Sequence, residues 1–392
     1  MRAFTFVVVA AGLGTALCDK HYMFSGFFSG STIAGLEFDD NSLSLSVVNN
    51  ISTQADSGSK WIALDARNQN LYVATTGYIQ SYAITSNLSL TYETNVSLSS
   101  NCSNANFIAA ASTAPYAVFG IPYSSGCSGL AISVDDEGTL KSAFANVTYD
   151  SSAGVHGIAL SSDNNFIYSA DDMGNAVWSH KYDNVTGTIE ELQKIDAPTG
   201  ANPRHLTVHP NGNWVYIIYE ELSQLAVYSR NGTTGILSDT NTTFSLLPAG
   251  MLLESAIIPS AQTLLLTIVI SGFTNTSSYW ADEVFVSNAT SQSPKYLITG
   301  TRSRTTSLPG YVSAFALDAD TGAITEQLFL LPTTSSGGSA NAVGPAKFSE
   351  EYFAITDSGA NFVEVWKIDG GSAEAVSHVG MDSGPANVVW YS

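Results

Sequence analysis

Short apolar runs alternate with polar turns along most of the chain, and this pattern returns at a regular interval. The segments His156–Tyr182 and Arg204–Arg230 align without a gap at an offset of 48 residues. In that alignment the apolar run Phe166–Tyr168 coincides with Trp214–Tyr216. A similar unit, Lys60–Tyr82, lies two such intervals before the first. A repeat of this length built from short strands is typical of β-propeller blades.

Weaker copies of the unit and a shared turn signature extend the repeat over the chain. The weaker copies centre on Tyr116–Val118, Leu264–Ile268 and Tyr352–Ala354. The turn signature, Asp or Asn followed by a Thr-Gly pair, occurs at 183–187, 231–235 and 318–322, with a shorter version at 135–138. In such hairpin turns Asp and Asn cap the bend and Gly adopts a positive φ.

The repeats predict an all-β, seven-bladed β-propeller of four-stranded antiparallel blades. Six copies can be read directly, and Tyr22–Val48 supplies strands of another; six or eight blades are the less favoured counts. The C-terminal strand Asn387–Tyr391 is expected to pair with the N-terminal strands, because closing the ring removes an exposed sheet edge. The single domain is placed at 19–392, with a long insertion at about 271–310 that either borders a binding face or is tolerated decoration.

The first residues have the pattern of a secretory signal peptide. Arg2 is followed by an apolar and small-residue stretch, Ala3–Cys18, which is too short for a mature membrane anchor. We therefore assign residues 1–18 to a signal peptide and expect a secreted protein, with retention in the cell wall left open. No membrane span is expected later in the chain, where Leu264–Ile270 has the pattern of a buried strand.

Sequons and cysteines agree with export. Ten Asn-x-Ser/Thr sequons predict a glycoprotein of the secretory pathway. They are Asn50, Asn87, Asn95, Asn101, Asn146, Asn184, Asn231, Asn241, Asn275 and Asn288. Cys18 would leave with the signal peptide, so Cys102 and Cys127 form an even pair in an oxidising compartment, and we predict a disulfide between them. It would stabilise the fold by about 3 kcal/mol.

The charge balance limits the partners. The chain has 14 Lys and Arg residues against 34 Asp and Glu, for a formal net charge of −20, and loss of Arg2 would make it −21. Such a surface repels nucleic acid and anionic membranes, so neither is expected as a partner. The sequence has no zinc-type His/Cys spacing, no phosphate-binding loop and no Gly-x-Ser-x-Gly motif, so no metal or cofactor is expected.

Blade geometry brings several polar residues to one mouth of the central channel. The first strand after Arg204 runs to a Pro-Asn-Gly-Asn turn and the second returns to Glu220, so these residues are expected to lie nearly opposite each other. One blade earlier, His156 and Asp172 hold the equivalent positions, and Lys60 falls at the register of His156 in an earlier copy. Such clustering in a chain with few cations indicates a site; a purely structural salt bridge is the alternative.

These residues also carry a resemblance to a known family. The segment Asn202–Glu220, the pair His156–Gly157 and the Asp-x-x-Thr-Gly turns resemble the lactonase-type seven-bladed propellers. Within that group the chain is most similar to the fungal carboxy-cis,cis-muconate cyclases, over nearly the whole mature chain. The resemblance implies the fold derived above and a small polycarboxylate or lactone as the ligand at the channel mouth.

The resemblance also implies a set of catalytic residues. By resemblance, the family's catalytic residues correspond to His156, Arg204 and Glu220 in this sequence. A further family arginine precedes a Gly-Tyr strand, for which Arg302 is the best match and Arg304 the substitute. The cyclase adds a carboxylate across a conjugated double bond to form a lactone. Arginines would hold the other carboxylates. His156 is the favoured proton donor, and Glu220 either shares that proton or orients Arg204.

Other nearby residues have plainer interpretations. His205 and His209 are assigned to a turn and to packing between blades. Asp171–Asp172 and Asp135–Glu137 lack the spacing of a calcium loop and are expected in solvated turns.

The predicted export leaves the function open, because a carboxymuconate cyclase is expected inside the cell, where its substrate is made. A protein can also keep its fold and site residues after losing the activity. Besides a secreted cyclase, the sequence is compatible with a cell-wall or secreted adhesin that binds extracellular matrix or cell-wall components. A sugar lactonase is the third interpretation.

Overall fold

Seven four-stranded antiparallel sheets make up the part of the chain that the computed structural model describes, residues 19–54, 57–249, 278–288 and 291–392. The sheets are the blades of a propeller, as predicted, and we number strands and blades in chain order. The predicted signal peptide, the strand predicted at Leu264–Ile270 and the sequon at Asn275 lie outside the described residues.

Blades 1 to 4 each use four consecutive strands. Blade 1 contains β4 (Trp61–Leu64), β5 (Asn70–Thr75), β6 (Tyr78–Thr85) and β7 (Ser89–Ser97). Blade 2 contains β8 (Ala105–Ala110), β9 (Ala117–Pro122), β10 (Gly129–Val134) and β11 (Leu140–Val147). Blade 3 contains β12 (Val155–Leu160), β13 (Phe166–Asp171), β14 (Ala176–Asp183) and β15 (Thr188–Asp196). Blade 4 contains β16 (Pro203–Val208), β17 (Trp214–Tyr219), β18 (Gln224–Arg230) and β19 (Leu237–Ser245).

Blades 5 and 6 likewise use four consecutive strands, whereas blade 7 combines three N-terminal strands with one C-terminal strand. Blade 5 contains β20 (Tyr279–Val286), β21 (Tyr296–Ser303), β22 (Tyr311–Leu317) and β23 (Ile324–Pro332). Blade 6 contains β24 (Val343–Pro345), β25 (Tyr352–Asp357), β26 (Phe362–Asp369) and β27 (Ser372–Gly380). Blade 7 contains β28 (Pro385–Trp390), β1 (Lys20–Phe27), β2 (Thr32–Asp39) and β3 (Ser44–Ser52). Two short 3₁₀ turns, Ser86–Leu88 and Ser100–Cys102, flank β7.

The ring is closed by pairing of the two ends of the described chain, as the sequence predicts. Strand β28 is the inner strand of blade 7 and pairs antiparallel with β1, so that Met23 lies opposite Trp390. The Asn387 side chain also joins blade 7 to blade 1. Its Oδ1 accepts from the Ile62 N–H at 3.0 Å and its Nδ2 donates to the Ile62 carbonyl at 2.9 Å. The amide therefore continues the backbone pairing across the junction of the two blades.

The core lies between neighbouring blades. The middle strands β13 and β17 are buried along almost their whole length, whereas the outer strand β15 alternates between exposed and half-buried positions. Tyr168 of blade 3 packs in one apolar cluster with Val215 and Tyr228 of blade 4. Because each blade is covered on both faces by its neighbours, its middle strands consist of near-continuous apolar runs, which is the pattern that made the repeat visible.

The turn signature forms the bends that the sequence predicts. Gly187, Gly235 and Gly322 have φ between 73° and 76°, and each donates its N–H to the carbonyl of the Asp or Asn that opens its turn, at 2.8–2.9 Å. In the first of these turns Asp183 Oδ1 also accepts two backbone N–H groups. The predicted disulfide between Cys102 and Cys127 is likewise present.

The insertion expected at about 271–310 is a correction to the sequence analysis. Its described part contains β20 and β21, the first two strands of blade 5. The second strand of this blade reads Tyr-Leu-Ile-Thr-Gly and lacks the aromatic-rich pattern of the other copies, so the alignment passes over it. The departure from the repeat therefore falls between Ser245, where β19 ends, and Tyr279.

No helix in the described ranges is both long enough and apolar enough to cross a membrane.

Removal of the Asn387 amide tests the closure of the ring. Substitution Asn387→Leu keeps the side-chain size but leaves the buried N–H and carbonyl of Ile62 unpaired, and each unpaired group costs about 1–3 kcal/mol. We expect the free energy of unfolding to fall by about 2–4 kcal/mol, measured by urea denaturation. The exposed residue Asn41 provides the control, since Asn41→Leu is expected to stay within about 0.5 kcal/mol of the parent. Equal midpoints for the two variants would contradict this account of the closure.

Candidate active site at the channel mouth

Irregularities in four inner strands bring polar side chains to one mouth of the channel. The pairing of β8, β12, β16 and β20 with their neighbours shifts register at one point in each strand. Such bulges re-aim a side chain that regular alternation would direct elsewhere. The residues at the four shifts are Asn106, His156, Arg204, His205 and Asp282.

Two arginines and two carboxylates form a compact ion cluster there. Glu220 Oε1 lies 3.2 Å from Arg204 Nε and 2.8 Å from Arg302 Nη2. Asp282 Oδ1 contacts Arg204 Nη1 and lies 3.3 Å from Arg302 Nε. Asp282 Oδ2 accepts the Asn341 N–H at 2.7 Å. Each carboxylate therefore bridges both guanidinium groups, so the cluster joins blades 4 and 5.

The cluster forms part of the wall of a cavity of about 410 Å³. Its lining consists of Tyr123, His156, Asp172, Met173, Asn202, Arg204, Glu220, Glu221, Trp280 and Arg302. The Trp280 ring lies 4.4 Å from the Arg302 guanidinium carbon, and its Nε1 donates to Glu221 Oε1 at 2.8 Å. The cavity thus combines cationic, acidic and aromatic groups.

Burial dominates the protonation behaviour of these groups. It raises the pKa of Glu220 despite the two arginines, and lowers the pKa of Arg204 and of Arg302. Burial, followed by the charge of Arg204, holds the pKa of His156 well below its ordinary value. A histidine in this position is neutral at pH 7, so it exchanges protons as an imidazole rather than as an imidazolium.

The structure brings together His156, Arg204, Glu220 and Arg302, the four residues that the sequence analysis selects. The predicted opposition of Arg204 and Glu220 is confirmed by their 3.2 Å contact. Arg302 contacts the carboxylates, whereas the guanidinium carbon of Arg304 lies 4.0 Å from the Trp280 ring centre. The geometry therefore favours Arg302 over Arg304.

Other expected members of the mouth have different roles. The Lys60 amine donates to Asn104 Oδ1 and does not line the cavity. His209 serves its turn as expected, because its Nδ1 accepts the Asn211 N–H at 3.2 Å. His205, assigned to packing, does contact Trp61 and Phe107 of other blades, but its Nε2 also lies 2.9 Å from His156 Nδ1.

The assignment of Asp171–Asp172 to a solvated turn is wrong. Both residues are buried. Asp171 accepts from the N–H groups of Gly154 and Gly174 and from Trp178 Nε1, and so fixes the end of β13. Asp172 Oδ2 accepts the Tyr123 hydroxyl at the cavity wall. Both carboxylates are therefore buried hydrogen-bond acceptors.

Sequence reasoning missed Asp282, Glu283 and Trp280, which all lie on β20. They fall in the segment that was interpreted as an insertion, where no repeat register was available to align them. The useful signal was local: the run Tyr-Trp-Ala-Asp-Glu-Val-Phe-Val has a strand pattern interrupted by two adjacent acids.

Comparisons with known proteins place this architecture in a family. The model of the lactonase family, described as a seven-bladed β-propeller, matches residues 22–261. Carboxy-cis,cis-muconate cyclase of Neurospora crassa is 29% identical over 384 residues, covering 95% of this chain and 99% of the cyclase. Muconate cycloisomerase 1 of Cutaneotrichosporon cutaneum is 31% identical over 220 residues, covering 54% of this chain and 50% of that protein.

Among solved structures, the periplasmic gluconolactonase of Pseudomonas aeruginosa has a TM-score of 0.75 and covers 95% of this chain and 99% of its own, at 16% sequence identity. At that identity the likeness is one of fold. The family model spans over half of the chain, and the seven blades of the structure agree with its description. The chain belongs to the lactonase family of seven-bladed β-propellers.

Proposed function

We propose that this protein is a cyclase that closes a lactone ring on a small polycarboxylate at the channel mouth. The observation that carries the proposal is the pair Arg204 and Arg302, held side by side at a cavity wall that also presents His156. The similarity to the Neurospora crassa cyclase extends over 95% of the chain and supports the same chemistry.

The arginines have donors left for a ligand. Arg204 uses Nε and Nη1 for Glu220 and Asp282, and its Nη2 forms no hydrogen bond with any residue in the described ranges. A substrate carboxylate can accept from these N–H groups, and charge-assisted hydrogen bonds of this kind are strong in a desolvated site. A cavity of about 410 Å³ is large enough for a small polycarboxylate.

The proposed reaction needs one nucleophile and one proton. A carboxylate of the substrate adds to the conjugated double bond and forms the C–O bond of the lactone. Negative charge then develops on the carboxylate conjugated to the other alkene carbon, where arginine stabilises it. His156 delivers the proton to that carbon, so a substrate trianion and one proton give a lactone dianion.

Turnover is to be measured as loss of the diene absorbance of 3-carboxy-cis,cis-muconate. The parent is expected to consume the diene, and His156→Gln is expected to lower kcat by about 10²–10⁴-fold, the contribution of a general acid. Arg204→Lys is expected to raise KM and lower kcat, because a lysine cannot reproduce the planar fork of the guanidinium group. Arg204→Ala is less informative, since it would leave Glu220 and Asp282 buried without a partner.

His378→Gln serves as the control, because His378 lies half-exposed on the outer strand of blade 6 and should leave kcat unchanged. The melting temperature of each variant shows whether the fold is retained. No diene loss with the parent would contradict the cyclase. A panel of sugar lactones would then test hydrolysis, and immobilised matrix proteins would test an adhesin.

We also propose that the protein is exported and glycosylated. The disulfide between Cys102 and Cys127 supports an oxidising compartment. Each of the eight sequon asparagines whose side chains are described is exposed or half-buried. Four of them lie on the outermost strands of their blades, at Asn50, Asn95, Asn146 and Asn241. An occupied sequon must be accessible, and these positions lie away from the residues that line the cavity.

Expression of the full chain in a fungal host tests export. The protein is expected in the culture medium, and treatment with a peptide N-glycosidase should lower its mass and convert occupied Asn to Asp. Mass spectrometry of the peptides that contain Asn50, Asn95, Asn146 and Asn241 identifies the occupied sites. Recovery of the protein only from the cell lysate, with unmodified asparagines, would contradict the proposed export and glycosylation.

A further inference from the structure

Behind the cavity wall, three ionisable side chains lie in a row that leads away from the ligand space. His156 Nδ1 lies 2.9 Å from His205 Nε2, and His205 Nδ1 lies 2.9 Å from Glu283 Oε2. The Asn106 amide nitrogen lies 3.0 Å from the second ring nitrogen of His156, Nε2, and 3.4 Å from Nδ1. The row therefore connects a carboxyl group of blade 5 through blade 4 to the imidazole of blade 3.

The inner two members of the row are sealed from solvent. His205 and Glu283 are each 1% exposed, and His205 packs against the rings of Trp61 and Phe107. His205 Nδ1 and Glu283 Oε2 form no hydrogen bond with any described residue, so each has only the other, 2.9 Å away, as a neighbour with which to exchange a proton. Glu283 Oε1 accepts the Val284 N–H at 3.2 Å. A proton on Glu283 Oε2 thus has one neighbouring acceptor, which is His205.

The proton on Glu283 sets the tautomers of both histidines. When Glu283 is ionised, its negative charge 2.9 Å away favours a proton on His205 Nδ1, so His205 Nε2 accepts from His156 Nδ1–H and His156 Nε2 presents a lone pair. When Glu283 is protonated, that attraction is lost, the His205 proton moves to Nε2, the hydrogen bond between the two histidines reverses, and His156 Nε2 carries the proton. The Asn106 amide can rotate to present oxygen or NH₂, so it accommodates either state.

The surrounding charges keep both imidazoles neutral. Burial and then Arg204 hold the pKa of both His156 and His205 well below the ordinary value, and Arg302 acts in the same direction. Burial raises the pKa of Glu283 to about 8, and Arg204 opposes this rise. On β16, His205 contacts Glu283 and Arg204 acts on it through its charge, while Asp282 precedes it on β20. Of the other strands packed against β20, β21 carries Arg302 and Tyr296, β17 carries Tyr216 and Tyr219, and β24 has no ionisable residue. Glu283 is therefore the member of the row that holds a proton near neutral pH.

We infer that Glu283 and His205 form a proton relay that supplies His156, and that they act as positioning residues for the cyclisation. This inference rests on the proposed function and adds the source of the proton. As the lactone C–O bond forms, His156 Nε2 gives its proton to the carbon. His156 Nδ1 takes a proton from His205 Nε2, and His205 Nδ1 takes one from Glu283. The carboxylate left at Glu283 is reprotonated before the next turnover along the same row in reverse: water in the cavity protonates His156 Nε2, His156 Nδ1 returns a proton to His205 Nε2, and His205 Nδ1 returns one to Glu283.

Substitution Glu283→Gln tests the relay, because the amide keeps the size of the side chain but cannot release a proton. We expect kcat to fall about 100-fold, at the lower end of what a general acid contributes, with KM nearly unchanged. In the parent, kcat should decline as the pH rises through about 8, where Glu283 loses its proton. That decline should be absent in Glu283→Gln. His205→Gln interrupts the row at its middle and should lower kcat to a similar extent.

The matched control is Glu364→Gln. Glu364 is a second buried carboxyl group, and its Oε1 lies 3.0 Å from His378 Nδ1, in blade 6 and away from the cavity lining. The Glu364→Gln substitution should leave kcat and the pH profile of kcat unchanged. If Glu283→Gln behaves like Glu364→Gln in an active enzyme, the relay is wrong and the proposed function stands.

A readout independent of turnover is ¹⁵N NMR of histidine-labelled protein, whose six histidines can be assigned by single substitutions. In the parent, the proton of His156 should move from Nε2 to Nδ1 as the pH rises through about 8. In Glu283→Gln this switch should be lost. A switch without any turnover would reject the proposed function while supporting the relay, and no switch in the parent would overturn the relay.

Discussion

The burial of two guanidinium groups between two carboxylates governs the arrangement of the channel mouth. Removing a charge from water costs several kcal/mol, so each of these groups can stay buried only while its partners hold their positions. Arg204 and Glu220 come from blade 4, Asp282 and Arg302 from blade 5, and the Asn341 N–H that binds Asp282 precedes blade 6. The relative orientation of three blades is thereby tied to one set of ion pairs.

The same cluster shapes the chemistry around it. Burial, reinforced by the charge of Arg204, lowers the pKa of His156 and of His205 well below the ordinary value, so an acid function there would use neutral rings. Glu220 and Asp282 balance the charge of the two arginines, and the ion pairs leave Arg204 Nη2 available. A structural salt bridge and a binding site are therefore not opposed interpretations, because the ion pairs hold the guanidinium groups in the orientation that a ligand meets.

Much of the fold could be predicted from sequence because its main signal, apolar runs at a regular interval, arises from packing that every blade shares. The same register gave His156, Arg204 and Glu220, since equivalent positions of a repeat lie at the same end of the channel. Arg302 came from family resemblance alone. Asp282 and Glu283 were missed because blade 5 departs from the repeat. Their positions depend on contacts with blade 4 that are distant in sequence.

A strand bulge explains why the contact of His205 with His156 was missed. Strict alternation would direct Arg204 and His205 to opposite faces of β16, and the shift in pairing between Pro203 and Leu206 removes that constraint. Both side chains can then take part in the mouth, one in the ion cluster and one behind His156. The alternation of residues along a strand cannot reveal such a bulge, because the alternation is interrupted where the bulge occurs.

The closure of the ring has a consequence for biosynthesis. Blade 7 takes three strands from residues 20–52 and its inner strand, β28, from residues 385–390. A ribosome releases the first three strands long before the fourth, so β1 emerges with an open edge that nothing in blade 7 can yet cover. Blades 1 to 6 can each assemble as their own four consecutive strands emerge. The circle as a whole can form only after β28 has been made, so a strand at residues 385–390 completes the blade that residues 20–52 begin.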